Sequence, residues 1–284
     1  MPLTYKTETG YTYFEEGSGS VIILLHGLMG GPENFQSVLT DLRKDYRAVA
    51  PVLPLFDLPL RKTGVEELSQ FLHEFITHKR FHKVALLGNS LGGHVALRYA
   101  LTHPENVSGM ILTGSSGLKE NTMGTTLPRR KDYDYVREKA ALTFYDPDMA
   151  TKELVDEVFE VLNSNVKALK LLRMAKSAVR ENLADELRHL TMPVGLIWGR
   201  DDVVTPPEVA HEFHDKLALS RLSFIDKCGH APMMERPDEF NVILRWYLYW
   251  IDQVSRGLRS TASGHPLEAS AAPGSKEISA VAWA

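Results

Sequence analysis

The sequence predicts an α/β protein whose mostly parallel central sheet is flanked by helices, with a helical cap inserted between two core strands. Short uninterrupted apolar runs, such as VIILL at residues 21–25, are typical of strands buried on both faces. Segments with apolar residues at helical spacing, such as residues 65–76, lie between those runs. The alternation stops after Gly117 and resumes at Val194. Strands alternating with amphipathic helices predict a parallel sheet covered on both faces.

The elements follow in order along the chain. Residues 5–16 predict two short strands joined at Thr9-Gly10. The buried strands are predicted at 21–25, 47–52, 84–87, 109–112, 194–198 and 222–225. The helices between them are predicted at 35–42, 65–76, 92–101, 208–217 and 237–251. The stretch 133–190 is predicted to be helical throughout, because it has many charges and no strand-like run.

These elements divide the chain into three parts. Residues 1–117 and 191–254 form the predicted core, and residues 118–190 form the predicted helical cap. Residues 255–284 are rich in Ser, Ala, Gly and Pro and carry little apolar periodicity, which predicts a flexible tail. Derivation of this tail from a cloning vector is one interpretation.

Composition narrows the class of protein. The chain has 284 residues, 44% of them hydrophobic, and a net charge of -4, which favours a globular protein and argues against a nucleic-acid surface. Its single cysteine, Cys228, cannot form an internal disulfide, so we expect a reducing cytoplasmic location. The N-terminus is polar, and no apolar run approaches the ~20 residues of a membrane span. We therefore expect no stable membrane insertion.

The stretch GNSLGG places Ser90 between a predicted strand and a predicted helix. An abrupt strand-to-helix turn forces its central residue into a left-handed conformation and crowds the residues two positions away. Gly88 and Gly92 occupy those positions. The pattern predicts a nucleophilic serine held at a helix N-terminus, although a serine that merely caps the helix is the alternative.

A serine nucleophile needs a base, and the base needs an orienting acid. Asp202 follows the predicted strand 194–198, and His230 follows the strand 222–225. Because parallel strands collect their carboxyl ends at one edge, we expect both side chains near Ser90. Asp201 is a competing acid, and Asp202 could instead brace a turn.

The first long strand ends in HGLMGG, residues 26–31. Its glycines let the backbone approach a substrate oxygen. The N–H groups of Leu28 and Leu91 are therefore the predicted oxyanion hole. His26 is interpreted as a structural histidine that ties this loop in place.

These motifs together resemble the α/β-hydrolase superfamily. They are HGLMGG, GNSLGGHVALRYALTHP, WGRDDVVTPP and CGHAPMMERPDEF. The resemblance implies that Ser90 is the nucleophile, His230 the base and Asp202 the acid. It favours Asp202 over Asp201 because the superfamily pattern G-x-x-D followed by proline matches Gly199, Asp202 and Pro206.

Several subfamilies share these motifs. A serine at the turn argues against the haloalkane dehalogenases and epoxide hydrolases, which use aspartate there. GNSLGGHVAL is similar to the meta-cleavage-product (C–C bond) hydrolases, but those enzymes usually carry Trp at the place of Ala231 and a cap arginine in the helix corresponding to residues 153–162, which has none. HAPMMERPDEF is nearer to carboxylesterases, lactonases and cofactor-free haloperoxidases. The usual glycine-rich turn is replaced by PVLPLFDLPLRK, residues 51–62, which should border the site.

The leading hypothesis is a carboxylesterase-type serine hydrolase that cleaves esters of small to medium apolar substrates through an acyl-enzyme. C–C hydrolysis of a meta-cleavage-type diketone and lactone hydrolysis are the alternatives. A ligand-binding receptor on the same fold is a third interpretation. The expected partner is a small-molecule ester, and neither a metal nor an organic cofactor is implied.

Overall fold

Every predicted strand forms, and together the strands make an eight-stranded sheet in the computed structural model, which describes residues 4–119 and 129–258. The strands are β1 Lys6–Glu8, β2 Tyr11–Gly17, β3 Ser20–Leu25, β4 Tyr46–Pro51, β5 Val84–Asn89, β6 Val107–Thr113, β7 Val194–Gly199 and β8 Ser220–Ile225. Their order in the sheet is β1-β2-β4-β3-β5-β6-β7-β8. The predicted α/β class is therefore confirmed.

The first two strands form a hairpin at the sheet edge. Glu8 pairs with Tyr11, so two residues, Thr9 and Gly10, make the turn. Both have positive φ, 49° and 86°, as the tight turns that suit the twist of antiparallel strands require. The hairpin joins the sheet through antiparallel pairing of β2 with β4.

The six strands β3 to β8 are parallel to one another, as predicted. β5 lies in the middle, between β3 and β6, and all six of its residues are buried. Because these strands are parallel, the residues that follow β3, β5, β6, β7 and β8 all lie at one edge of the sheet.

The two sheet faces carry separate apolar clusters, and successive strand residues alternate between them. Ile23 and Leu25 of β3 belong to one cluster, and Ile22 and Leu24 belong to the other. The helices of the chain are α1 Gln36–Leu42, α2 Val65–His78, α3 Leu91–Thr102, α4 Tyr133–Ala141, α5 Lys152–Asn163, α6 Asn165–Arg180, α7 Pro207–Lys216, α8 Pro232–Glu235 and α9 Pro237–Ser255. α2, α3 and α7 cover the first face, and α1 and α9 cover the second. None of these helices in the described ranges is long and apolar enough to cross a membrane.

The helices α4, α5 and α6 lie between β6 and β7 in the chain, where the cap was predicted. Each begins at a side-chain cap: Asp132 accepts from Tyr135 N–H, Thr151 from Leu154 N–H and Ser164 from Lys167 N–H. These helices share a small apolar core. It is formed by Val136, Ala140, Val155, Leu162 and Leu171. The division into core, cap and tail stays a prediction, and residues 120–128 and 259–284 lie outside the described part of the chain.

The prediction of helix throughout residues 133–190 is wrong between α4 and α5, at residues 142–151, and again at its end. α6 stops at Arg180, and Asn182 Oδ1 accepts the Ala184 N–H at 2.9 Å, which turns the chain away from the helical path. Leu183, Leu187 and Leu190 then pack into the sheet core. Burial of these leucines against the sheet outweighs the local helical pattern.

Candidate active site

Ser90 occupies a strained turn between β5 and α3. Its φ is 53° and its ψ is -120°, a conformation that L residues rarely adopt. A Cβ on Gly88 would lie 2.5 Å from the Gly92 carbonyl carbon, and one on Gly92 would collide with the Leu25 carbonyl. The two glycines thus allow the turn to form against β3. Among the described residues the Ser90 side chain makes no capping hydrogen bond, so helix capping does not explain it.

Asp202 and His230 come together at the carboxyl ends of β7 and β8. His230 Nδ1 lies 2.9 Å from Asp202 Oδ2, and the two residues are 6% and 2% exposed. Asp201, the competing acid, is exposed to solvent. The structure therefore pairs the histidine with Asp202.

The Asp202 carboxylate accepts four hydrogen bonds. Oδ1 accepts the N–H groups of Val204 at 2.8 Å and Thr205 at 2.9 Å. Oδ2 accepts the Thr205 hydroxyl at 2.8 Å and His230 Nδ1. Both oxygens of an ionised carboxylate act only as hydrogen-bond acceptors. The four donors therefore fix the plane of the Asp202 carboxylate and direct Oδ2 at the imidazole. Sequence reasoning missed Thr205, whose signal is a hydroxyl three residues after the acid.

Hydrogen bonds to two backbone carbonyls bring Ser90 and His230 to the same place. Ser90 N–H donates to the Thr113 carbonyl at 3.1 Å, and the Asn89 side-chain amide donates to both the Thr113 and His230 carbonyls at 3.0 Å. A Cβ on Gly114, whose φ is 51°, would lie 2.7 Å from His230 Nδ1. The absence of a side chain at Gly114 therefore makes room for the imidazole beside the nucleophile turn. Sequence reasoning also missed Asn89, which carries no local signal beyond a polar residue at a strand end.

The predicted oxyanion hole lies where two loops meet. Leu91 is the first residue of α3, where backbone N–H groups have no helical partner. Leu28 follows Gly27, and a Cβ on Gly27 would lie 3.3 Å from Ser90 Cβ. The HGLMGG loop thus packs directly against the nucleophile turn. The role of Leu28 and Leu91 as oxyanion donors stays a prediction.

His26 ties two loops together, in agreement with its structural interpretation. It is 2% exposed, and burial lowers its pKa, so the ring is neutral. Its Nδ1 donates to the Gly27 carbonyl at 2.9 Å, and its Nε2 accepts the Leu53 N–H at 3.0 Å. His26 therefore anchors the HGLMGG loop to the loop at residues 51–62.

A second buried histidine, His94, lies one helical turn after Ser90 and is fully buried. Burial, aided by the charge of Arg98, lowers its pKa to about 4. The ordinary value near 6.5 applies to the unfolded chain, so the stability that His94 contributes is present above that pH and is lost as pH falls toward 4. Between pH 7 and pH 4.5 this loss amounts to about 2–3 kcal/mol.

Between pH 7 and pH 4.5, we expect the free energy of unfolding of a His94→Gln variant to fall by about 2–3 kcal/mol less than that of the wild type. Urea unfolding at pH 7 and pH 4.5 measures the difference. His82→Gln, at an exposed position, is the matched control and should retain the wild-type pH dependence. If His94→Gln kept the wild-type pH dependence of stability, the lowered pKa of His94 would not be its cause.

Apolar side chains from three segments meet beside the site. Leu28 and Met29 of the HGLMGG loop and Phe56 of the 51–62 loop pack against the core of the inserted helices. Lys170 of α6 donates its ammonium to the Phe56 carbonyl at 2.6 Å. The replaced loop is thus held against the inserted helices.

The sheet order and the strained serine turn define a class of hydrolases, and sequence comparison identifies the same class. The model of the alpha/beta hydrolase family matches residues 22–242. The chain belongs to the alpha/beta hydrolase family. The predicted superfamily is thereby confirmed.

Three relatives show the range within that family. A solved structure of MGS-MChE2, an alpha/beta hydrolase enzyme from the sediment metagenome of the lagoon of Mar Chica in Morocco, is 41% identical, with a TM-score of 0.73 over 88% of this chain and 99% of that one. A pimeloyl-[acyl-carrier protein] methyl ester esterase from Nitrosomonas europaea is 29% identical over 79% of this chain and 94% of its own. A 2-hydroxy-6-oxo-6-(2'-aminophenyl)hexa-2,4-dienoic acid hydrolase from Metapseudomonas resinovorans is 28% identical over 80% and 83%.

Proposed function

We propose that this hydrolase cleaves carboxylic esters of small to medium apolar acids or alcohols. The observation that carries the proposal is the 2.9 Å contact between His230 Nδ1 and Asp202 Oδ2, beside the strained turn at Ser90. A nucleophile, a base and an acid in this arrangement perform acyl transfer.

The first half of the reaction forms an acyl-enzyme. Ser90 Oγ attacks the ester carbonyl while His230 Nε2 takes its proton, and Asp202 stabilises the resulting imidazolium. The N–H groups of Leu28 and Leu91 stabilise the negative charge on the carbonyl oxygen. The tetrahedral intermediate collapses when the C–O bond to the alcohol breaks and His230 returns the proton to the leaving oxygen.

The second half releases the acid. His230 removes a proton from a water molecule, the hydroxyl attacks the acyl carbonyl, and the bond to Ser90 Oγ breaks. The imidazolium then reprotonates Ser90. The Asn89 side-chain amide and the Thr113 and His230 carbonyls that accept from it do not change protonation, so these hydrogen bonds hold the geometry through both halves.

The apolar surroundings support an uncharged substrate. Leu28, Met29 and Phe56 border the inserted helices beside the nucleophile turn. The helix α5, of sequence KELVDEVFEVLN, has Lys152 as its basic residue, and that ammonium pairs with Asp156. A substrate carboxylate would therefore find no free cation on this helix.

C–C bond hydrolysis is the second candidate because a dienoic acid hydrolase covers 80% of the chain at 28% identity. The substrate for which this relative is named carries a carboxylate as well as a ketone. The test is a panel of p-nitrophenyl esters, lactones and a meta-cleavage-type dienoate, assayed with the same purified protein. Turnover of the esters at rates well above that of the dienoate supports the proposal, and preference for the dienoate overturns it.

A further inference from the structure

Backbone hydrogen bonds hold the loop that carries His230 from two sides. Its N–H donates to the Thr143 carbonyl at 2.7 Å, and its carbonyl accepts the Asn89 amide at 3.0 Å. Thr143 follows α4, and Asn89 precedes the nucleophile. The His230 backbone therefore bridges the inserted helical segment and the nucleophile turn.

Glu235 makes a second link across the same boundary. This partly buried residue ends α8, five positions after His230. Its Oε2 accepts the Gly229 N–H at 2.6 Å, and its Oε1 accepts the Asp146 N–H at 2.7 Å. Hydrogen bonds to a carboxylate are short and strong, so one side chain joins the histidine loop to residues 143–146.

Close packing surrounds this link. A Cβ on Gly229 would lie 2.6 Å from the Thr143 carbonyl oxygen and 2.8 Å from Phe144 Cα. Phe144 is 8% exposed and belongs to the same apolar cluster as Cys228 and Ala231 on either side of the histidine loop. The histidine loop and the inserted segment thus pack directly against each other where Glu235 joins them.

We propose that Glu235 is a positioning residue that sets the orientation of His230 by fixing its loop to residues 143–146. The inference rests on the proposed function only in taking His230 as the base. Glu235 acts through the backbone and does not contact the reacting atoms. The position of the inserted segment thereby controls how well the imidazole is aimed at Ser90.

The direct test measures the rate at which an alkyl fluorophosphonate labels Ser90, since this rate depends on activation by His230. Glu235→Gln keeps the side-chain length, but its amide nitrogen must face one of the two N–H donors. Because misplacement of a catalytic group by 1 Å can cost about 100-fold, we expect labelling to slow by about 10- to 100-fold. With an ester substrate, kcat should fall by the same factor and KM should stay unchanged.

Glu239→Gln is the matched control, because Glu239 lies four residues further on and, within the described part of the chain, its carboxylate forms an exposed ion pair with Arg236. It should label at the wild-type rate. Wild-type labelling in Glu235→Gln would overturn the proposal. A higher KM with unchanged kcat and labelling would also overturn it, since Glu235 would then shape substrate binding instead.

If Glu235→Gln does not fold, Glu235→Asp provides the same test, because its shorter carboxylate reaches one N–H donor and not both. A failure of the proposed function is distinguishable from a failure of this inference. If the protein hydrolyses no ester, the labelling rates of Ser90 still decide the role of Glu235. If Ser90 is not labelled in the wild type, the proposed nucleophile itself fails.

Discussion

Replacing Ser90 with alanine is expected to lower kcat for ester hydrolysis by about 10⁴- to 10⁶-fold, with little change in KM. The variant removes the atom that forms the acyl-enzyme, and the oxyanion donors and the pocket remain. The fold should persist, because Ser90 contributes its backbone N–H and carbonyl to the turn and these bonds survive in alanine. Steady-state kinetics with a p-nitrophenyl ester measures the effect.

Ser115→Ala is the control for this variant. Ser115 is also a buried serine near the turn, and its hydroxyl donates to the Ser116 carbonyl and not to a group of the triad. Its kcat should remain close to that of the wild type. Equal rates for Ser90→Ala and the wild type would show that another group performs the reaction.

Asp202→Asn is expected to lower kcat by about 10⁴-fold, because an amide cannot orient and stabilise the imidazolium of His230. The contacts of Asp202 make this substitution unusually disruptive. If the amide nitrogen replaces Oδ2, it faces the donors of Thr205 and His230, and if it replaces Oδ1, it faces two backbone N–H groups. In the first orientation the Thr205 hydroxyl can turn to accept from the amide, and His230 Nδ1 accepts as well, which leaves the imidazole in the tautomer that cannot take the Ser90 proton. In the second orientation two buried backbone N–H groups lose their acceptor, at a cost of about 1–3 kcal/mol each. Both orientations remove the negative charge that strengthens these hydrogen bonds.

Kinetics and thermal unfolding of the same variant separate the two effects. We expect the melting temperature to fall together with kcat. Asp201→Asn, one residue away and exposed, is the matched control and should change neither quantity. A large loss of activity in Asp201→Asn with none in Asp202→Asn would show that Asp201, and not Asp202, is the acid.

The hydrophobic pattern predicted the fold because buried side chains recur at a spacing that is characteristic of a strand or a helix. The run VIILL indicated a strand covered on both faces, and its residues do alternate between two clusters. The Thr9-Gly10 turn was also readable, because glycine suits the φ of 86° at Gly10, whereas Thr9 adopts its φ of 49° against the preference of a β-branched residue. The end of α6 was not, because packing of Leu183 and Leu187 on the sheet depends on the finished core.

The candidate site was predictable where strand ends position residues. Asp202 and His230 meet because both follow parallel strands. Asn89 and Glu235 were missed because each acts across a long sequence separation, bonding to His230 and to Asp146 respectively. No local pattern encodes such a contact. The need for glycine at position 92 was likewise predicted only in part, because a Cβ there would also collide with the Leu25 carbonyl of β3.

We propose that Ser90, activated by His230, forms the covalent intermediate. Peptide mapping after reaction with an alkyl fluorophosphonate, combined with the residual ester hydrolysis of the same sample, tests it most directly. We expect a single adduct on the peptide that contains Ser90 and a loss of activity in proportion to labelling. Ester hydrolysis that persists in fully labelled protein, or an adduct on another residue, would contradict it.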